Sequence, residues 1–203
     1  VRLTQEAIAK GAKTIYEASF NYDGIFVKTD ILHKGKNGWA LYEVKSSTGF
    51  KDIYYPDISV QYYVLNGAGI PVTRAYLVHI SNQYVRHGEI DPFTLFSILY
   101  VTGAVASGQS SIKEEIAKQK KMLAGDIPSI DIGPWCNDPY ECDFKGYCWQ
   151  KIPETSVFSL RGNRVLTFDL YNRGIVSLDD VEPDELPRAQ RQQVEAIRQK
   201  KVF

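Results

Sequence analysis

Several features that would assign this chain a class outright are missing. No apolar run approaches the ~18 residues of a membrane span, so neither a span nor a membrane partner is expected. No signal peptide is visible. There is no excess of charge: 24 Lys and Arg face 24 Asp and Glu. Without a global basic field, nucleic acid can be held only through a local patch. Histidine is scarce, and His33, His79 and His87 show no ligand or helical spacing. There is no Ser–His–Asp arrangement and no Gly-rich phosphate loop, so hydrolytic triads and P-loops drop out. Cysteine does not occur outside residues 136–148, where there are three. An odd, crowded set argues against a disulfide framework and for a metal or cluster in a reducing, cytoplasmic setting.

What is present is globular. The chain has 203 residues, 44% hydrophobic and 24% charged, enough for one domain with an appendage. Periodicity predicts a helix over residues 3–13 and an alternating strand over 14–20. In that strand Ile15, Glu17 and Ser19 share one face, and Tyr16, Ala18 and Phe20 the other. Asp23-Gly24 marks a hairpin turn. Strands follow over 24–32 and 39–45, with turn residues between them. A helix is expected over 52–66, and a strand over 72–80. Shorter extended runs are read at 81–87 and 94–101, and a helix over 102–123, with Ile112, Ile116 and Leu123 inward and its lysines outward. The strand-helix-strand order implies a crossover and a mixed sheet. The fold class is therefore α/β, an αβββαβ core with a mixed central sheet and a small C-terminal helical appendage. The expected division is 1–150, which includes the cysteine segment 134–149, and 151–203. The last helix, from about residue 187, is basic through Arg188, Arg191, Arg198, Lys200 and Lys201.

The chemistry gathers around residues 30–61. Twelve residues separate Asp30 from Glu43-Val44-Lys45, and fifteen more lead to Gln61. Alternation places Leu41, Glu43 and Lys45 on one strand face. Antiparallel pairing of the two strands brings Asp30 close to Glu43. Two carboxylates that near each other raise each other's pKa unless a cation sits between them. Mg²⁺ suits such a pair, since it takes one or two carboxylates and fills its other positions with water and phosphate oxygen. On the following helix, Tyr54, Asp57 and Gln61 recur at three- and four-residue spacing and form the polar part of a stripe that looks toward the strands.

Asp30, Glu43-x-Lys45 on an adjacent strand and Gln61 on the next helix resemble the PD-(D/E)XK nucleases, most of all their RecB-type branch. The resemblance implies a restriction-endonuclease-like fold and a metal-dependent deoxyribonuclease, an exonuclease of DNA repair, recombination or defence. It implies that Asp30, Glu43 and the Val44 carbonyl hold Mg²⁺ or Mn²⁺, that Lys45 assists the attacking water, and that Gln61 orients the site. Glu17 corresponds to an acid often found just before the Asp strand in that branch. The implied partner is single- or double-stranded DNA, read with low sequence specificity, together with a fused or associated nuclease or helicase domain.

The second informative stretch carries Cys136, Cys142 and Cys148, with gaps of five and five residues, among Pro, Gly and aromatics. Thiolates so placed can ligate Zn²⁺ or an iron–sulfur cluster. The segment is similar to the cysteine trio that follows the core in iron–sulfur members of the RecB-type branch, and closest to an uncharacterised bacterial family of RecB-like nucleases. That resemblance implies a [4Fe-4S] cluster whose fourth ligand is not among these residues. Two other readings stand beside it: a catalytically silent nucleic-acid-binding module, and a zinc-stapled interaction scaffold.

Overall fold

The computed structural model describes residues 1–162 and 164–199. Lys200 and Lys201 lie outside them. The chain divides into two compact units, Val1–Ile127 and Pro128–Phe203. The division falls earlier than the expected 150/151, and the cysteine segment belongs to the second unit.

The first unit begins with helix α1 (Arg2–Ala9). It is shorter than the expected 3–13 because Gly11, at φ +80°, turns the chain out of the helix. Strands β1 (Thr14–Tyr22) and β2 (Ile25–Lys34) form a hairpin. Asp23 and Gly24 both adopt positive φ, as a two-residue type I′ loop requires. Strand β3 (Trp39–Lys45) pairs antiparallel with β2. Helix α2 (Tyr54–Gly67) then crosses to β4 (Val72–Ile80), which runs parallel to β3. A short helix α3 (Pro92–Leu95) leads into β5 (Phe96–Tyr100), antiparallel to β4. The result is a five-stranded mixed sheet in the order β1-β2-β3-β4-β5, whose leading elements run αβββαβ.

Residues 81–87 form no strand. The expected helix over 102–123 is two helices, α4 (Thr102–Ser107) and α5 (Gln109–Leu123), parted at Gly108. Ile116 is buried there, but Leu123 is exposed rather than inward. Of the lysines meant to face outward, Lys118 pairs with Glu115 and Lys120 with Asp23.

The core of this unit lies between the sheet and α2. Leu32, Leu41, Ala75 and Leu77 from the strands meet Ile58, Val64 and Leu65 from the helix. On the opposite face of the sheet, Tyr42 and Tyr76 stack with ring centroids 4.7 Å apart.

The second unit is helical. It contains one-turn helix α6 (Lys145–Cys148), α7 (Arg164–Asn172) and α8 (Arg188–Gln199), joined by 3-10 turns. Val157, Leu170, Leu178, Val181 and Val194 form its own apolar cluster.

Candidate active site

The site arises where β2 and β3 part. Their backbone pairing ends at Ile31↔Tyr42. Beyond it, the Val44 N–H donates to the Asp30 carboxylate, with 2.7 Å to Oδ2. A side chain thus replaces the missing ladder partner, which satisfies a donor that the splayed strands leave over. Leu32 and Leu41 pair in the core, and two residues further along each strand stand Asp30 and Glu43, near enough for the Asp30 charge to act on Glu43.

Glu43 is 6% exposed, and both its oxygens are engaged. Oε1 accepts from the Lys45 ammonium at 2.6 Å, and Oε2 from Gln61 Nε2 at 2.7 Å. Asp57, in the first turn of α2, accepts from the same two donors: Lys45 on Oδ2 and Gln61 on Oδ1, the latter at 3.4 Å. Glu43, Lys45, Asp57 and Gln61 therefore close a ring that joins β3 to α2. Tyr54 flanks it, with the Lys45 nitrogen 5.3 Å from its ring centroid. The helix can do this because residues 54, 57 and 61 lie on one face.

The electrostatics follow from burial and company. Burial pushes the Glu43 carboxyl above its ordinary value; hydrogen bonds from Lys45 and Gln61 oppose this, while the charges of Asp57 and Asp30 add to it. For Lys45, burial pulls downward, but hydrogen bonds to Asp57 and Glu43 outweigh it and hold the ammonium well above the usual lysine range. Asp57 is pushed up by burial and pulled down further by Lys45, so it stays below the usual carboxylate range. Two carboxylates, Glu43 and Asp57, share one ammonium, and Asp30 stands near enough for its charge to act on Glu43. Gln61 Oε1 is buried and has no hydrogen-bond partner.

This donor set fits a small, hard divalent cation. Asp30 and Glu43 could supply oxygen ligands, and one ammonium stands against three nearby carboxyl groups. Among the described residues, no group of three or more His, Cys, Asp or Glu is placed to form an all-protein cage. A Mg²⁺ site held by one or two carboxylates does not need one.

The structure brings Asp30, Glu43, Val44, Lys45 and Gln61 together, and it adds Asp57. Sequence reasoning had put Asp57 in the helical stripe without giving it a role; its spacing of four from Gln61 was the available signal. Glu17 goes elsewhere. Its φ of +56° breaks the alternation of β1, leaving Tyr16 69% exposed while Ala18 is fully buried. The expected sharing of one face by Tyr16 and Ala18 fails for that reason. Glu17 pairs with Lys28 in solvent.

The cysteines are not gathered into a ligand set. All three are free; Cys136 is buried, whereas Cys142 and Cys148 are exposed. The Cys136 sulfur accepts the Gly133 N–H at 3.5 Å. Among the described residues, the three form no group that could hold a metal ion as they stand.

Comparison with known proteins adds little. No family model matches the chain, and no curated protein matches it. A solved structure, the crystal structure of SSO0001, is 12% identical and covers 63% of this chain, with a TM-score of 0.29. The chain spans 59% of that protein's length. Among the described residues, no helix is long and apolar enough to cross a membrane.

Proposed function

We propose that this chain is a divalent-metal-dependent deoxyribonuclease, an exonuclease that hydrolyses phosphodiester bonds in DNA. The observation that carries the reading is the closed ring of Glu43, Lys45, Asp57 and Gln61, set beside an Asp30 carboxylate tied to the Val44 N–H. Asp30, Glu43 and the Val44 carbonyl would hold Mg²⁺ or Mn²⁺. A bound divalent ion supplies Lewis acidity and screens the charge on the phosphate.

The remaining work belongs to side chains of the chain itself. Lys45, kept protonated by two carboxylates, is a fixed positive charge that neutralises negative charge building on the phosphate oxygens. Held so, it steers the attacking water molecule. Gln61 is pinned through its Nε2, which leaves the unpartnered Oε1 to accept a hydrogen bond from that water. Such an orphan acceptor costs about 1–3 kcal/mol when left unsatisfied, which favours a ligand there. Contacts to backbone phosphates position the substrate without reading its sequence, so sequence specificity is low. The free thiols fit a reducing, cytoplasmic setting. No catalytic step is assigned to the cysteine segment.

The test is cleavage of single- and double-stranded DNA with and without Mg²⁺ or Mn²⁺. Degradation is expected only with the metal, and Lys45→Ala should lower the rate by roughly 10²–10³-fold, the usual cost of losing one charge-stabilising donor. Metal-independent cleavage, or a Lys45→Ala variant as fast as the parent, would sink the reading. DNA binding without turnover would establish the silent binding module instead.

A further inference from the structure

We infer that Asp57 is a positioning residue of this site: it holds the Lys45 ammonium in place when Glu43 turns to its cation. The inference rests on the nuclease reading above.

Glu43 has two duties that compete. In the structure each of its oxygens already carries a donor, Lys45 on Oε1 and Gln61 on Oε2. A divalent cation bound at Glu43 draws on those same oxygens. Unless something else holds it, Lys45 then loses its main acceptor at the moment its charge is needed, and its side chain, with four rotatable bonds, is free to swing away. Asp57 is the other acceptor. It takes the same two donors from the opposite side, on a different element. Glu43 can thus give up its hydrogen bonds without setting Lys45 loose.

The local design agrees with this role. Asp57 stands in the first turn of α2, where the unpaired helix N–H groups favour a negative charge. Its side chain is 47% exposed, against 8% for Glu43, so its ionisation needs no metal. The other groups around Lys45 leave it no third anionic hold: Tyr54 offers its ring face, and Asp30 spends one oxygen on the Val44 N–H. The tie from Asp57 to Gln61 is longer, at 3.4 Å, and is the lesser of the two.

The experiment compares the parent, Asp57→Ala, Lys45→Ala and the double variant, with Asp57→Asn as the milder change. Outer-shell partners of a metal site commonly matter by ~10–100-fold, and Asp57→Ala is expected to lower kcat by about that factor. KM for DNA and the Mn²⁺ concentration at half-saturation should stay within about threefold, because neither substrate nor ion is contacted. The double variant should be little slower than Lys45→Ala alone, as expected of a residue that acts through another. A readout independent of turnover is the Lys45 ammonium signal in protein saturated with diamagnetic Mg²⁺ and made with isotope-labelled lysine, since without the ion Glu43 still holds the ammonium. It should be visible in the parent and lost in Asp57→Ala. An unchanged kcat in Asp57→Ala overturns the inference while leaving the nuclease reading intact. A tenfold rise in the Mn²⁺ requirement overturns it too, by making Asp57 a direct ligand. If the parent does not cut DNA, the nuclease reading falls, and persistence of the ammonium signal in Asp57→Ala still refutes the positioning role.

Discussion

At the scale of single residues, Glu43 is a carboxyl group that the fold buries at a cost. It is a buried carboxylate whose pKa is raised chiefly by burial. Its proton is bound more tightly in the folded chain than in the unfolded one. Protonation therefore stabilises the fold fully below the ordinary value of 4.5, and this contribution is lost as pH climbs from there through the raised folded value. Glu43→Gln removes the charge and with it the pH dependence. In metal-free buffer at neutral pH this variant is expected to melt higher than the parent, by about 2–4 °C for each kcal/mol recovered. It should also lose the rise in melting temperature that Mg²⁺ gives the parent. Thermal melts across pH, with chelator or with Mg²⁺, check both. A lower melting temperature for metal-free Glu43→Gln would mean that its hydrogen bonds to Lys45 and Gln61 outweigh the burial of charge.

At the scale of elements, α2 is the piece on which the rest is hung. It covers the sheet with Ile58, Val64 and Leu65 and delivers Asp57 and Gln61 to the site. Its C-terminal end is fitted tightly to the β1–β2 hairpin. A Cβ built on Gly67 would come within 2.2 Å of the Tyr22 ring, which also packs edge-on against Tyr63. The close approach includes Cγ, near the root of the side chain, so Tyr22 cannot simply swing aside. Gly67→Ala is expected to destabilise by ~1–3 kcal/mol through overpacking. In a Tyr22→Ala background the same change should be neutral or favourable, because alanine is the better helix former. Denaturant unfolding of the four variants measures this; an equal cost in both backgrounds would refute the packing account.

Most elements were legible from pattern alone. The strand at 72–80 and the helix after Lys45 stand where period-2 and period-3.6 spacing put them, because those periods are set within a few residues. The misreadings have separate causes. Residues 81–87 read as a short extended run, but they lack period-2 alternation and form no strand. Glu17 sits in a strand-like run, yet its backbone turns through positive φ, and alternation fails across it.

At the scale of the whole molecule, the two units carry separate cores, and the proposed nuclease residues all lie in the first. Residues 1–127 alone are expected to fold cooperatively and to retain Mn²⁺ binding, since every residue of the ring lies within them. Circular dichroism and Mn²⁺ titration of that fragment check this, and an unfolded fragment would show the first unit to be dependent on the second. If the cysteine segment closes on an iron–sulfur cluster, the full chain purified without oxygen is brown and the fragment colourless. A colourless full chain that holds zinc would support the stapled scaffold for the second unit.

By itself the sequence determined the αβββαβ order, the nearness of Asp30 to Glu43 on neighbouring strands, and the reach of Gln61 from the next helix. Each of these depends on backbone periods and turn residues that act over short stretches. Only the tertiary structure decided that Asp57 shares Lys45 with Glu43, that Glu17 leaves the site, and that the thiols stand apart. Those outcomes depend on how closely a helix docks on a sheet, where two strands part, and how a loop closes. Such distances are set by packing between residues far apart in the chain, and no local spacing encodes them.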